Sequence, residues 1–348
     1  MVGCSRHQTK VKKILIIKLG ARGDVLRTTP ILRGLKKKYP QSFISWLTQP
    51  ESKDLLKDNS LIDRLFLYSL KTIQGLGIEK FDILICLDKE AEAISLASRI
   101  QSKKKIGFGL DKKTGNVFPL NKESLYAFNL GISDELKFRQ NRKTYPEIIF
   151  EMAGLGYQKD EYILKVSDAD RKYAQDLLSK IGINNNDLII GLNTGAGPRF
   201  ANKAWTEEGF VELVKLIHDK ARAKVFLLGG PEEEGRNKRI ASKVGNLACD
   251  IGCYHSLGQF MAIVEASSLI VSGDTTAMHI AIALEKPVVA IFGSTCEQEI
   301  ELYGRGIKLT SNIDCRPCYK TECKKEANCM VLIKPTEVLQ AIQRLLPK

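Results

Sequence analysis

The sequence predicts an α/β protein made of two parallel-sheet domains in tandem. Three observations carry that prediction. Short continuous apolar runs, such as Lys13–Ile17 and Val288–Phe292, have the character of strands buried on both faces. Helical patterns lie between them, and strand alternating with helix implies a parallel sheet covered on both sides. At 348 residues the chain also exceeds one comfortable hydrophobic core, so two domains are expected.

In the first half, Lys13–Ile17, Phe43–Leu47, Leu65–Tyr68, Ile83–Leu87 and Lys105–Phe108 read as strands. Leu19–Asp24 is a glycine-punctuated loop, and Val25–Tyr39 reads as one helix despite Pro30. Leu110–Gln140, rich in charge, Gly and Asn, reads as loop with short pieces, and Thr144–Leu155 as an amphipathic helix. The rhythm pauses over Gly156–Asp170, where Ser167 and the acids Asp168 and Asp170 have the form of a capped helix start. A second series follows, with strands Leu188–Leu192, Val225–Leu228, Leu269–Val271 and Val288–Phe292. Helices are expected around Glu207–Lys220, Glu233–Val244, Leu257–Ala266 and Thr276–Leu284, and a last one from Pro335 to Leu346. The expected divisions are 11–165, 166–334 and a C-terminal helix over 335–348.

Hydrophobic and charged contents of 44% and 27% are those of a soluble globular protein. The apolar runs are far too short to cross a bilayer. The basic N-terminus lacks the apolar stretch of a signal peptide, so a cytoplasmic protein is expected. Net charge is +13, and its placement matters more than its size. Residues 1–165 hold 30 Lys and Arg against 18 Asp and Glu, whereas residues 166–348 hold 23 against 22. A basic first half attracts an anionic partner: nucleic acid, an acidic lipid surface, or a phosphorylated or acidic sugar. Part of the excess is ordinary solvated surface. Neither Lys36–Lys38 nor Lys103–Lys105 has interleaved aromatics to stack bases, so nucleic acid is not the expected partner.

Cys4, Cys86, Cys249, Cys253 and Cys296 are scattered, as buried small apolar residues or inert thiols would be. Cys315, Cys318, Cys323 and Cys329 crowd one loop with spacing C-x2-C-x4-C-x5-C. That grouping makes a structural zinc site a candidate, although the spacing is not a standard pair. Reduced thiols or a facultative disulfide are the commoner outcome.

Four strand-to-helix turns carry the chemistry. Lys18–Pro30 places Asp24 at a helix start beyond a strand end, where a carboxylate can take a proton from a substrate hydroxyl. Helix capping is the more common use of such an acid. Arg22 and Arg27 nearby would keep Asp24 ionised and could grip an acidic acceptor. Gly191–Thr206 carries Thr194, Gly195, Gly197 and Lys203, but Phe200 stands where a dinucleotide fingerprint needs its third glycine. A long loop delivering Lys203 suits a pyrophosphate. Leu227–Arg236 brings Glu232–Glu234 past a strand end, where an acid can hold ribose hydroxyls or simply favour the first helical turn. Ser272–Gly293 is strand, turn, helix, strand, with Asp274, Thr275 and Thr276 at a helix start suited to a phosphate. His279, one turn in, either lends a hydrogen bond or packs. Asp168-x-Asp170 reads as capping rather than a manganese site.

These stretches resemble glycosyltransferase family 9, the ADP-heptose:lipopolysaccharide heptosyltransferases. The resemblance rests on KILIIKLGARGDVLRTTPILRGLKKKYP, NTGAGPRFANKAW, DTTAMHIAIALEKPVVAIFG and the cysteine-bearing tail, and covers nearly the whole chain. It implies a GT-B type fold, two Rossmann-like domains facing each other across a cleft. By that resemblance Asp24 matches the family's general base, Lys203 its phosphate-binding lysine, and Asp274 and Thr275 its helix-start pair. The ribose-contacting glutamate falls among Glu232–Glu234, with Glu233 expected. The family commonly has glycine where Thr276 stands, and a small or apolar pair in place of Ala21-Arg22.

The expectation is an inverting, metal-independent glycosyltransferase without cofactor. It would move heptose from ADP-heptose to the lipopolysaccharide inner core, or to a related anionic glycolipid, with peripheral contact at the inner face of the cytoplasmic membrane. The donor would meet Thr194, Gly195, Lys203, Glu233, Asp274, Thr275, Thr276 and His279, and the acceptor Arg22 and Arg27. The competing readings are a GT-B-fold sugar-nucleotide epimerase and a basic nucleic-acid-binding protein.

Overall fold

The computed structural model describes residues 11–184, 186–197, 202–221 and 223–346. The chain divides into two compact units. One takes the described residues of 1–133 with Pro146–Asp160, and the other takes Asp134–Tyr145 with the described residues of 161–348.

In the first unit the strands are β1 (Lys13–Ile17), β2 (Phe43–Thr48), β3 (Arg64–Leu67), β4 (Lys80–Cys86), β5 (Gln101–Leu110) and β6 (Val117–Pro119). They form one sheet in the order β3-β2-β1-β4-β5-β6, parallel except where β6 returns against β5. Ile14 lies opposite Ile44 on one side and Ile83 on the other. Ile14–Ile17 are buried on both faces, which is why this central strand carries no polar residue after Lys13. The strand order reverses between β1 and β4. In such a sheet that reversal opens a crevice beyond the strands' carboxyl ends. The helices are α1 (Arg22–Thr28), α2 (Ile31–Lys38), α3 (Lys53–Leu56), α4 (Leu70–Ile78), α5 (Ala91–Arg99), α6 (Leu125–Asn129) and α7 (Tyr145–Met152). Leu15, Ile17, Leu47, Leu84, Leu96 and Ala97 share one core cluster between sheet and helices. Burying each of its larger side chains contributes roughly 1.5–3 kcal/mol before entropy is subtracted.

The second unit has β7 (Ile189–Asn193), β8 (Lys224–Leu228), β9 (Cys249–Asp250), β10 (Leu269–Gly273), β11 (Val288–Phe292) and β12 (Gly306–Thr310). Their order, β12-β11-β10-β7-β8-β9, is the same winding read from the other edge, and every described pair is parallel. Here the reversal falls between β7 and β10. The helices are α8 (Asp168–Lys180), α9 (Glu207–Ala221), α10 (Glu234–Val244), α11 (Leu257–Ala266), α12 (Thr276–Ala283), α13 (Cys329–Leu332) and α14 (Pro335–Leu345). Val338 and Ile342 of α14 join Trp205, Phe210 and Leu213 in the core. The excursion 134–145 contributes a π-type turn, Glu135–Gln140, whose Phe138 stacks on Tyr319 with ring centroids 5.5 Å apart.

The single helix expected over Val25–Tyr39 is two. The path breaks at Thr29–Pro30 because Pro30 has no N–H to give. α1 also starts earlier than expected, at Arg22, which puts Asp24 inside the first turn. Ser167 caps α8 as its position suggests, accepting the Asp170 N–H at 3.2 Å. β6, β9 and β12 were not foreseen; β6 and β9 have three residues or fewer, and β12 is a half-buried edge strand. Cys4 and Phe200 lie outside the described residues. Among the described residues no helix is long and apolar enough to cross a membrane.

Candidate active site

The second unit builds a polar rim at its β7–β10 reversal. β10 ends at Gly273, and Asp274 and Thr275 lead into α12, whose first backbone N–H groups have no partner within the helix. Lys203 Nζ stands 3.0 Å from Asp274 Oδ2, with both side chains largely buried. A methyl group on Gly273 would approach the Lys203 carbonyl to 2.9 Å, so glycine permits the lysine's backbone to pass that close. Two anchors flank Lys203. Asn202 donates to the Lys320 carbonyl at 2.5 Å, and the buried Trp205 indole donates to the Ile333 carbonyl at 3.1 Å. Asn193, at the end of β7, donates to Thr275 Oγ1 at 3.3 Å and to the Gly195 carbonyl at 3.1 Å, so it ties the two central strand ends together. Thr275 Oγ1 also lies 3.0 Å from Ser272 Oγ. Thr276 is half-buried on the same turn. His279 is buried with Nε2 3.8 Å from Asp274 Oδ1, and its ring stacks on Tyr162.

Glu233 and Glu234 have different partners. Glu233 accepts the Gly230 N–H at 2.9 Å and the Gly197 N–H at 3.4 Å, so its carboxylate lies across the loops that follow β7 and β8. Glu234 instead pairs with Lys238 at 2.8 Å and accepts the Tyr254 hydroxyl, which together hold its carboxyl below the ordinary value. Thr194 is fully buried, with its hydroxyl 2.6 Å from Asn237 Oδ1. It therefore fixes the β7 loop from below and does not turn its hydroxyl to the rim. The rim as a whole offers a cation, a helix start, backbone amides and two carboxylates, Asp274 beside the cation and Glu233 across the loops, a set that could take a nucleoside diphosphate.

The first unit's reversal carries an acid. Asp24 Oδ1 pairs with Arg27 at 2.7 Å, while Oδ2 accepts the Ala21 N–H at 3.3 Å. The carboxylate keeps about a third of its surface in solvent, and Arg22 beside it is exposed. Behind this loop, Lys18 and Asp88 form a buried ion pair at the ends of β1 and β4. Sequence reasoning passed over that pair. The trace is a charge directly past each of two apolar runs, Lys18 after KILII and Asp88 in LICLDK.

The zinc expectation gains no support. Cys315 and Cys323 are exposed, Cys318 and Cys329 half-buried, and all four are free thiols. Burial, followed by the charges of Cys318, Cys323 and Cys315, pushes the Cys329 thiol up. Among the described residues no group of three or more His, Cys, Asp or Glu is placed to hold a metal ion.

Two Rossmann-like units in tandem make this a GT-B type α/β protein. The family model for glycosyltransferase family 9 (heptosyltransferase) matches residues 69–328. The chain belongs to that family, and it is a glycosyltransferase. Lipopolysaccharide heptosyltransferase 1 of Campylobacter coli is 27% identical over 305 residues, covering 81% of this chain and 84% of the relative. Among solved structures, the family 9 glycosyltransferase of Veillonella parvula superposes with TM-score 0.76 at 20% identity, covering 96% and 97% of the two chains. The ADP-heptose lps heptosyltransferase II of E. coli gives TM-score 0.68 at 19% identity, covering 96% and 98%. These two likenesses bear on the fold alone.

Proposed function

We propose that this chain transfers heptose from ADP-heptose to the inner core of lipopolysaccharide, or to a related anionic glycolipid, with inversion and without a metal. The observation that carries the reading is the pairing of Lys203 with Asp274 at the start of α12, on the β7–β10 reversal. A departing diphosphate needs compensating charge as its bond to the sugar lengthens. Lys203 and the first N–H groups of α12 supply it, and Glu233 would hold the ribose hydroxyls. The Campylobacter coli relative, a lipopolysaccharide heptosyltransferase, supports the transferred sugar and the acceptor class.

In the proposed reaction Asp24 accepts the proton of the acceptor hydroxyl. The freed oxygen attacks the anomeric carbon from the face opposite the diphosphate, the carbon–oxygen bond to the diphosphate breaks, and ADP leaves. Arg27, now paired with Asp24, and the exposed Arg22 would turn to anionic groups of the acceptor. The positive excess of residues 1–165 supports peripheral contact with an acidic membrane face.

The test combines a thermal-shift panel of ADP-, UDP-, GDP- and CMP-sugars with mass spectrometry of heptose-deficient lipopolysaccharide incubated with enzyme, ADP-heptose and EDTA. The reading expects stabilisation by ADP-sugars and one added heptose in the chelator. Stabilisation by UDP- or CMP-sugars alone would remove the heptosyl donor.

A further inference from the structure

We propose that Asp88 is a positioning residue for the transfer reaction, acting as acceptor for the backbone of Leu19 to fix where Asp24 stands. This rests on the reading of Asp24 as the base.

Asp88 is 3% exposed and Lys18 is 5% exposed. Such a pair is costly to desolvate, and apolar replacements of similar volume are often as stable. Fold stability is therefore a poor account of two charges buried at the sheet's functional edge. Their geometry gives a better one. Asp88 Oδ2 accepts the Leu19 N–H at 2.5 Å. The Leu19 carbonyl accepts the Gln49 N–H at 3.1 Å and the Thr48 hydroxyl at 3.3 Å. Leu19 is thus held from the end of β4 on one side and the end of β2 on the other. Two residues on, the Ala21 N–H is taken by Asp24 Oδ2. Gly20 separates these two fixed peptide groups, and a methyl group on it would meet nothing within 4 Å. Packing at Gly20 does not hold the loop. The buried Leu19 side chain and the hydrogen bonds at Leu19 and Ala21 do, and the bond at the Leu19 N–H depends on Asp88.

The test uses the full chain and two double variants. Lys18→Met/Asp88→Asn removes both charges but keeps an acceptor for the Leu19 N–H, while Lys18→Met/Asp88→Leu removes the acceptor too. Amide hydrogen exchange over Leu19–Val25 is read first, because it needs no substrate. Exchange should rise at least about tenfold in the leucine variant and stay near wild type in the asparagine variant. With ADP-heptose and heptose-deficient lipopolysaccharide, kcat should fall about 100-fold in the leucine variant alone, with the donor KM within about twofold. Should the leucine variant fail to fold, Asp88→Glu keeps the charge but shifts the anchor by one methylene, and the same rise in exchange and fall in kcat are expected. Unchanged exchange in whichever of these folds, or equal losses in the asparagine and leucine variants, overturns the proposal. Undiminished turnover in Asp24→Asn, with the exchange result intact, would instead remove the base and leave the loop anchor standing.

Discussion

The Glu233 carboxylate covers Gly195 so closely that a methyl group there would sit 2.0 Å from Glu233 Oε1. The clash is with a side chain that can swing away, so the fold survives Gly195→Ala while the carboxylate leaves its place. ADP affinity should fall about tenfold, which corresponds to 1.4 kcal/mol, with little change in melting temperature. Calorimetric titration with ADP beside a melting curve checks both halves. Gly107→Ala makes the contrast. Gly107 has φ +94° and a methyl group there would lie 1.9 Å from the Cys86 carbonyl, so backbone must move. A stability loss of more than about 3 kcal/mol is expected from urea denaturation.

Lys203→Met removes the cation beside Asp274 at the helix start. If Lys203 balances the leaving diphosphate, kcat should drop roughly 10²–10³-fold, the loss typical of one preorganised donor in such a site. Steady-state rates at saturating donor measure it. An unchanged kcat with a raised donor KM would make Lys203 a binding residue only.

The Cys86 thiol, fully buried between β1 and β5, is pushed up to about 12 from 9.0, chiefly by burial. The unfolded chain gives up this proton near pH 9 while the folded chain keeps it. Stability is therefore level below pH 9 and falls as pH rises from there towards 12. Urea midpoints measured at pH 8 and at about pH 10.5 should separate more for wild type than for Cys86→Ala.

Much of this was legible in the sequence because parallel sheets leave a strong local mark. KILII and VVAIF are buried on both faces, and the sequence-based bounds of both strands match the structure. Asp24, Lys203, Glu233 and Asp274 could be picked out because each follows such a strand, where the chain must turn. Pairings between distant strands were not legible. Lys18 and Asp88 are 70 residues apart and meet only because β4 lies beside β1. The return of 134–145 to the second unit has no local signature either, since it depends on Phe138 and Lys137 finding the Tyr319 ring. The partner of the Thr194 hydroxyl was not legible for a related reason. That partner, Asn237, lies on α10, 43 residues later.

Asp24→Asn bears most directly on the proposed transfer. Asparagine keeps the size and the contact with the Ala21 N–H but cannot take a proton, and the lost pair with Arg27 is partly exposed, so stability should change by less than about 1 kcal/mol. In a single-turnover experiment with ADP-heptose and heptose-deficient lipopolysaccharide, the variant should bind donor as wild type does and transfer heptose at least about 10²-fold more slowly. Donor binding intact and transfer at the wild-type rate would contradict the assignment of Asp24 as the base.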